Sequence, residues 1–239
     1  MKHCYLIILL AAMWLHPRLG HCQRVLLQST VSQDTTYEQY GPNRAFYNHL
    51  YVSYMPVVGV AAGPGAPLRY GSSAELAVGV RNKFRFSEPL SAGFDLRFVR
   101  RTYDLAQKTG KLLPTPTQHY RESLALMETH LETFVRLNVG ARGNVVGRYL
   151  DLNGWGGWAL STAHRTEDRS SGNSAKKVRI IATGLPYLRR WSYGVGGRLG
   201  TGRYAAVARY RLSDTFTSAA PMEFPELPRW TVGVEIGWL

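Results

Sequence analysis

Cysteine is scarce: the 239 residues contain two, Cys4 and Cys22, both within the first 22 positions. A chain that sheds this stretch keeps no disulfide frame, no thiolate metal site and no cysteine nucleophile. Long apolar runs are scarce as well. The run Tyr5 to Leu15 is too short to anchor in a bilayer, and no later segment offers eighteen consecutive apolar residues. A membrane crossing beyond the leader must therefore use strands, the only other structure that satisfies its own backbone in lipid. Acid is in short supply, with 16 Asp and Glu against 29 Lys and Arg. The surplus comes without a basic helix or an aromatic-basic platform, so no nucleic-acid partner is expected.

The amino terminus sets the expected compartment. Lys2, the apolar run, Pro17, Gly20 and Cys22 ahead of Gln23 have the layout of a secretory signal peptide covering residues 1–22. His21 stands where acylation of Cys22 would want a small residue, which weighs against a lipoprotein. Removing Lys2 and Arg18 with the leader takes the formal charge from +13 to +11. Residues 23–45 are expected to form a polar extension, and 46–239 a single β domain.

Within that domain, period-two alternation recurs eight times: Asn48 to Val60, Glu75 to Phe86, Ser91 to Tyr103, Arg121 to Val139, Val145 to Leu160, Trp191 to Leu199, Arg203 to Leu212 and Trp230 to Leu239. Each has one oily face. In the last segment the oily face is bracketed by Trp230 and Trp238, eight steps of about 3.3 Å apart. With a tilt near 40° they are roughly 20 Å apart along a membrane normal, close to the ~25 Å apolar band of an outer-membrane barrel. Trp158, Trp191, Tyr204 and Tyr210 are further expected interface aromatics. Pro56 cannot donate to a ladder and marks a bulge or a lost bond.

Connections alternate in length. Ser87 to Leu90, Gly140 to Asn144 and Gly200 to Gly202 are short, whereas Ala61 to Ala74, Asp104 to Tyr120, Ser161 to Arg190 and Ser213 to Arg229 are long. Short periplasmic turns and long external loops are what an outer-membrane barrel has. The expectation is an all-β, eight-stranded antiparallel transmembrane β-barrel in the outer membrane. Lys176 to Gly184 also alternates, but a ninth spanning strand would break the parity, so it is expected to be loop or a hairpin above the membrane.

Four short stretches add a family likeness: Phe46-Tyr47-Asn48-His49-Leu50, Tyr149-Leu150-Asp151-Leu152, Arg209-Tyr210-Arg211-Leu212-Ser213-Asp214 and Glu226-Leu227-Pro228-Arg229. In these the chain resembles the small outer-membrane β-barrel proteins of Bacteroidota, of the PorT-like kind. The resemblance implies the same fold and location, and for some relatives a link to type IX secretion and gliding machinery. The chain departs from the barrel pattern by ending Trp238-Leu239 rather than in an aromatic.

The polar faces direct Arg81, Lys83, Arg85, Asp95, Arg97, Arg101, Glu132, Arg136, Asp151, Arg198, Arg209, Arg211 and Glu235 inward. An eight-stranded barrel is just wide enough for side chains to fill it, so these form a plug of ion pairs; the alternative is a narrow anion-favouring channel. A third reading, an outer-leaflet lipid hydrolase, would draw on His119, His130 or His164 with Ser123, Ser161, Ser170 or Ser171. No nucleophile elbow or deacylase spacing supports it, and no enzyme is expected. Gly194-Val195-Gly196-Gly197-Arg198-Leu199-Gly200 fails the nucleotide-loop spacings, and neither cofactor nor metal is expected. The third long loop carries Arg165, Arg169, Lys176, Lys177, Arg179, Arg189 and Arg190 against Glu167 and Asp168. Facing outward, such a loop could meet lipopolysaccharide phosphates or an acidic partner. The expected role is that of a structural or interaction component, with secretion proteins as partners.

Overall fold

The computed structural model describes residues 39–140, 143–169, 176–217 and 224–238. The expected leader 1–22, residues 23–38 of the extension, Ser170, Ser171 and Leu239 lie outside them. Every regular element described is a strand: β1 (Phe46–Val58), β2 (Ala74–Arg85), β3 (Leu90–Leu105), β4 (Arg121–Val139), β5 (Arg148–Asp168), β6 (Val178–Thr183), β7 (Trp191–Thr201), β8 (Tyr204–Arg211) and β9 (Trp230–Trp238).

All nine belong to one antiparallel sheet that returns on itself. The pairing runs β1, β2, β3, β4, β5, β7, β8, β9 and back to β1, while β6 is held by β5. Followed sideways from partner to partner, Val57 leads through Thr231, Arg209, Gly196, Asn153, Phe134, Gly93 and Lys83 to Tyr47. One circuit shifts the register by ten residues, from 57 to 47. For eight strands about 4.8 Å apart, rising about 3.3 Å per residue, that shear corresponds to a tilt of about 40°.

Burial alternates with a period of two and is inverted relative to a water-soluble protein. In β2, Leu76, Val78 and Val80 are exposed, whereas Glu75, Arg81 and Lys83 are at most 2% exposed. The same inversion holds in β3, where Leu96 and Phe98 face out and Asp95 and Arg97 face in. Apolar side chains thus cover the outer wall and charged ones fill the interior, the reverse of the usual distribution.

Two local features depart from simple alternation. Opposite Pro56 the pairing of β1 with β9 lapses between Tyr54↔Val234 and Val57↔Thr231 but keeps its register, so the proline costs bonds and makes no bulge. In β5 a bulge falls where Glu128 faces Ala159 and Met127 faces Ser161, leaving Leu160 as an extra residue. Side-chain parity inverts there. That is why alternation looks finished at Leu160, although β5 runs on to Asp168. The lower half of β5 pairs with β7 and the upper part with β6, so the stretch expected to be loop contains a short strand, in a hairpin beyond the ring.

Long and short connections sit at opposite ends. The long ones fold inward over one mouth, where Leu68, Leu113, Leu188, Phe216 and Leu227 pack with Tyr103, Leu105, Leu124 and Leu126 into an apolar lid. Lys111, buried in the β3–β4 connection, pairs with Glu122 at the start of β4 and ties this lid down. At the other end, residues 39–45 fold back under the ring: Asn43 N–H donates to Asn144 Oδ1, and Lys83 donates to the Pro42 carbonyl.

Candidate functional site

Two groups of side chains carry chemistry: a charged interior and a basic cleft on the outer wall. The interior is built by alternation. Because odd residues of β3 and even residues of β4 face inward, Arg97 stands opposite His130 and Asp95 opposite Glu132; in β2, Glu75 pairs with Arg101 and Arg81 with Asp95. Closing the ring then brings β7, β8 and β9 across from these.

Six arginines and six carboxylates form one connected network. Arg101 bridges Glu128 (3.1 Å) and Glu75 (2.8 Å), and Arg97 reaches Glu75 at 3.2 Å. Arg198 touches Glu132 and lies 3.2 Å from Asp95 and 3.3 Å from Asp151. Arg136 engages both Asp151 oxygens, at 2.7 and 2.9 Å. Arg81 spans Asp95 (2.8 Å) and Glu235 (2.6 Å). Arg209 sits 2.6 Å from Glu132, too poorly aligned to donate a hydrogen bond. Six charges of each sign leave the network neutral, as burial demands, since an unpaired ion in low dielectric is very costly. Aromatic faces line it: Arg136 lies 3.6 Å over Tyr149, Arg81 4.5 Å over Tyr51, and His130 stacks on Trp155 at 4.8 Å.

Of the residues read as inward, Arg81, Lys83, Asp95, Arg97, Arg101, Glu132, Arg136, Asp151, Arg198, Arg209, Arg211 and Glu235 are buried. Arg85 stands apart at the short-turn rim, donating to the Asn43 and Ser87 carbonyls. Arg211 pairs with Glu226 of the β8–β9 connection, 2.7 Å away. Glu75 and Glu128 also belong to the network, and nothing in the chain says which arginine they meet.

His130 is an interior residue. It lies 3.2 Å from Glu128, which also accepts from Ser192 at 2.9 Å. The two oxygens of the carboxylate thus link the serine hydroxyl to the imidazole. His119 pairs with Asp168 at 2.9 Å and holds that carboxyl below its usual range. His164 approaches Glu122 at 2.7 Å. Among the described residues no cluster of three His, Cys, Asp or Glu is arranged for a metal ion.

The expected interface aromatics point outward at two levels. Trp158 meets Trp191 edge-on at 4.6 Å and Tyr210 meets Trp230 at 4.9 Å, all toward the long-loop end, while Tyr204 and Trp238 lie toward the short turns. Phe46, Phe84 and Phe94 extend this lower level, with centroids 5.3 and 6.3 Å apart.

The basic cleft lies on the outer wall above the apolar surface, where β3, β4, β5 and β6 run on past the rest of the ring. The bulge at Leu160 turns Arg165 and Glu167 outward, level with Ser123 and Arg121. Two adjoining cavities of about 370 Å³ each are lined by Arg100, Arg121, Arg165 and Arg179, and by Arg69, Arg121, Arg169, Lys177 and Arg179. That makes seven cations against two carboxylates, Asp104 and Glu167. Arg121 pairs with Asp104 (2.8 Å); Lys177 and Arg179 share Glu167 (2.8 and 3.0 Å) and hold its carboxyl below the usual range. Arg169 lies 3.8 Å over the Tyr120 ring. Lys176 is exposed, ahead of β6. Arg165, expected in a loop, is on β5, and Arg69, Arg100 and Arg121 join it from other parts of the chain.

The chain matches no family model and no curated protein.

Proposed function

We propose that the ring is a transmembrane β-barrel of the outer membrane, closed to ion flow by its own interior, and that it works as a structural or interaction component through its long-loop end. The observation that carries this is the inverted wall: exposed Leu, Val, Phe and Ile cover the outside between two levels of Trp and Tyr, over a charged interior. In water such a surface would be a very large apolar patch; in a bilayer it meets its own solvent, with aromatics at the two interfaces. The segregation of short turns and long loops supports the long-loop end as the external one.

A passage needs a continuous wet lumen. Here a neutral ion-pair network fills the middle and an apolar lid covers one mouth, which favours the component over the channel. The resemblance to PorT-like proteins carries the narrower reading, an accessory of the type IX secretion or gliding machinery.

The test is reconstitution of the purified chain into vesicles containing brominated lipid, together with planar-bilayer recording. Outward tryptophans at both levels should be quenched, and no steady current should appear. Unquenched tryptophans would overturn the membrane reading; a steady current would overturn the closed interior. Recovery of secretion components on affinity purification from native membranes is the outcome expected of the narrower role.

A further inference from the structure

The outward-facing rows of the wall change character within one step. Phe98, Thr129, Trp158 and Trp191 pair in one row, and the next outward row upward is Arg100, Met127 and Ser161. Arg100 therefore follows Phe98 by two residues, about 6.6 Å along the strand. Two rows higher, Asp104, Ser123, Arg165 and Ile181 pair side by side. A cavity of about 370 Å³ lies among these residues, with Thr102 and Ser123 among its lining and Arg100, Arg121, Arg165 and Arg179 as its cations.

The charge there is not internally balanced. Asp104 and Glu167 are already engaged by Arg121, Lys177 and Arg179. Among the described residues Arg100 and Arg165 have no carboxylate partner, and Arg165 Nε is buried without a hydrogen-bond acceptor. A guanidinium in that situation wants an oxyanion, and planar Arg donors match phosphate oxygens well.

The geometry points to this cleft as a binding site for the phosphate of an outer-leaflet lipid, held by Arg100 and Arg165, with the acyl chains lying down the exposed face of Phe98 and Leu96. The inference rests on the membrane-spanning reading and gives its outer surface a ligand. Headgroup phosphates lie just beyond the hydrocarbon, which is where Arg100 stands, one step above the row of Phe98, Trp158 and Trp191, with Arg165 two rows higher. A free phosphate ion could satisfy the same two arginines but makes no use of the apolar wall below them.

The experiment uses the folded chain in detergent micelles, with binding read by the change in tryptophan fluorescence, to which Trp158 and Trp191 below the cleft contribute, and folding checked separately by heat-modifiable migration. The probes are bisphosphorylated lipid A, its dephosphorylated form and inorganic phosphate. Lipid A should bind, and the Arg100→Gln/Arg165→Gln variant should bind it about tenfold or more weakly, having lost two charge-assisted contacts. Arg148→Gln/Arg203→Gln removes the same charge at the short-turn end and should bind as the parent does. Dephosphorylated lipid A should match the weakened variant, and millimolar inorganic phosphate should fail to displace lipid A.

Equal weakening in both double variants would reduce the effect to net charge and overturn the site. Undiminished binding of dephosphorylated lipid A would do the same. Displacement by inorganic phosphate would reassign the cleft to a free ion and overturn the lipid. Failure of the membrane reading shows elsewhere, as unquenched tryptophans in brominated vesicles, so the two failures are distinguishable.

Discussion

Arg81 illustrates what holds the interior together at the scale of one residue. Its guanidinium is shared between Asp95 and Glu235, and its flat face covers Tyr51. Removing a carboxylate leaves a buried guanidinium short of charge, so Glu235→Ala should cost about 3–5 kcal/mol in urea unfolding followed by tryptophan fluorescence. Adding Arg81→Met to Glu235→Leu should recover part of that loss, because hydrophobic replacements carry no desolvation penalty. Glycines inside the wall make room for rings. An added Cβ at Gly157 would come within 2.4 Å of the His130 ring and 2.9 Å of Ser192 Oγ, whereas at Gly154, one face over, it meets nothing within 4 Å. Gly157→Ala should therefore destabilise by about 1–3 kcal/mol, and Gly154→Ala should be close to neutral in the same assay.

At the scale of elements, the lid depends on one carboxylate above the apolar wall. Burial pushes the Glu122 carboxyl up, but hydrogen bonds from His164, Lys111 and Gln107 outweigh it and hold the group below the usual carboxylate range. A carboxyl depressed on folding stabilises above its unfolded value, about 4.3, and that contribution fades as the pH falls through the lower folded value. The protection factor of residues 106–120 in hydrogen exchange, taken against the intrinsic rate at each pH, should thus be high at pH 7 and fall once the pH drops below about 4. In Glu122→Gln the protection should already be low at pH 7, and a connection equally protected in both proteins would show that Glu122 is not its anchor. The bulge at Leu160 is the other decisive element. It sends Arg165 outward and turns a continuing strand into what reads along the chain as the beginning of a loop.

For the molecule as a whole, the arrangement of connections predicts an orientation. With its expected leader removed the chain has no cysteine, so single introduced thiols report position without background. Lys176→Cys, ahead of β6, should react with a membrane-impermeant maleimide on intact cells, while Arg203→Cys, between β7 and β8, should react only after the outer membrane is opened. The reverse labelling pattern would invert the orientation and place the basic cleft on the periplasmic side.

What the chain alone determined is the eight strands of the ring and, outside the upper part of β5 beyond its bulge, the face each side chain takes; β6 and the run of β5 past Leu160 were not among them. Alternation is local: a pleated strand sends successive residues to opposite faces whatever its neighbours are, so Arg81, Asp95 and Glu235 could be separated from Leu76, Phe98 and Trp238 by counting. Short turns between β2 and β3 and between β7 and β8 were equally local. Pairing across the ring was not. That Arg198 of β7 meets Asp95 of β3 depends on closure and on a ten-residue shear accumulated over eight registers, and no single segment encodes that sum. The cleft is legible only in three dimensions for the same reason. Arg69, Arg100, Arg121 and Arg165 are scattered over nearly a hundred residues, and a one-residue bulge decides that the last of them faces outward.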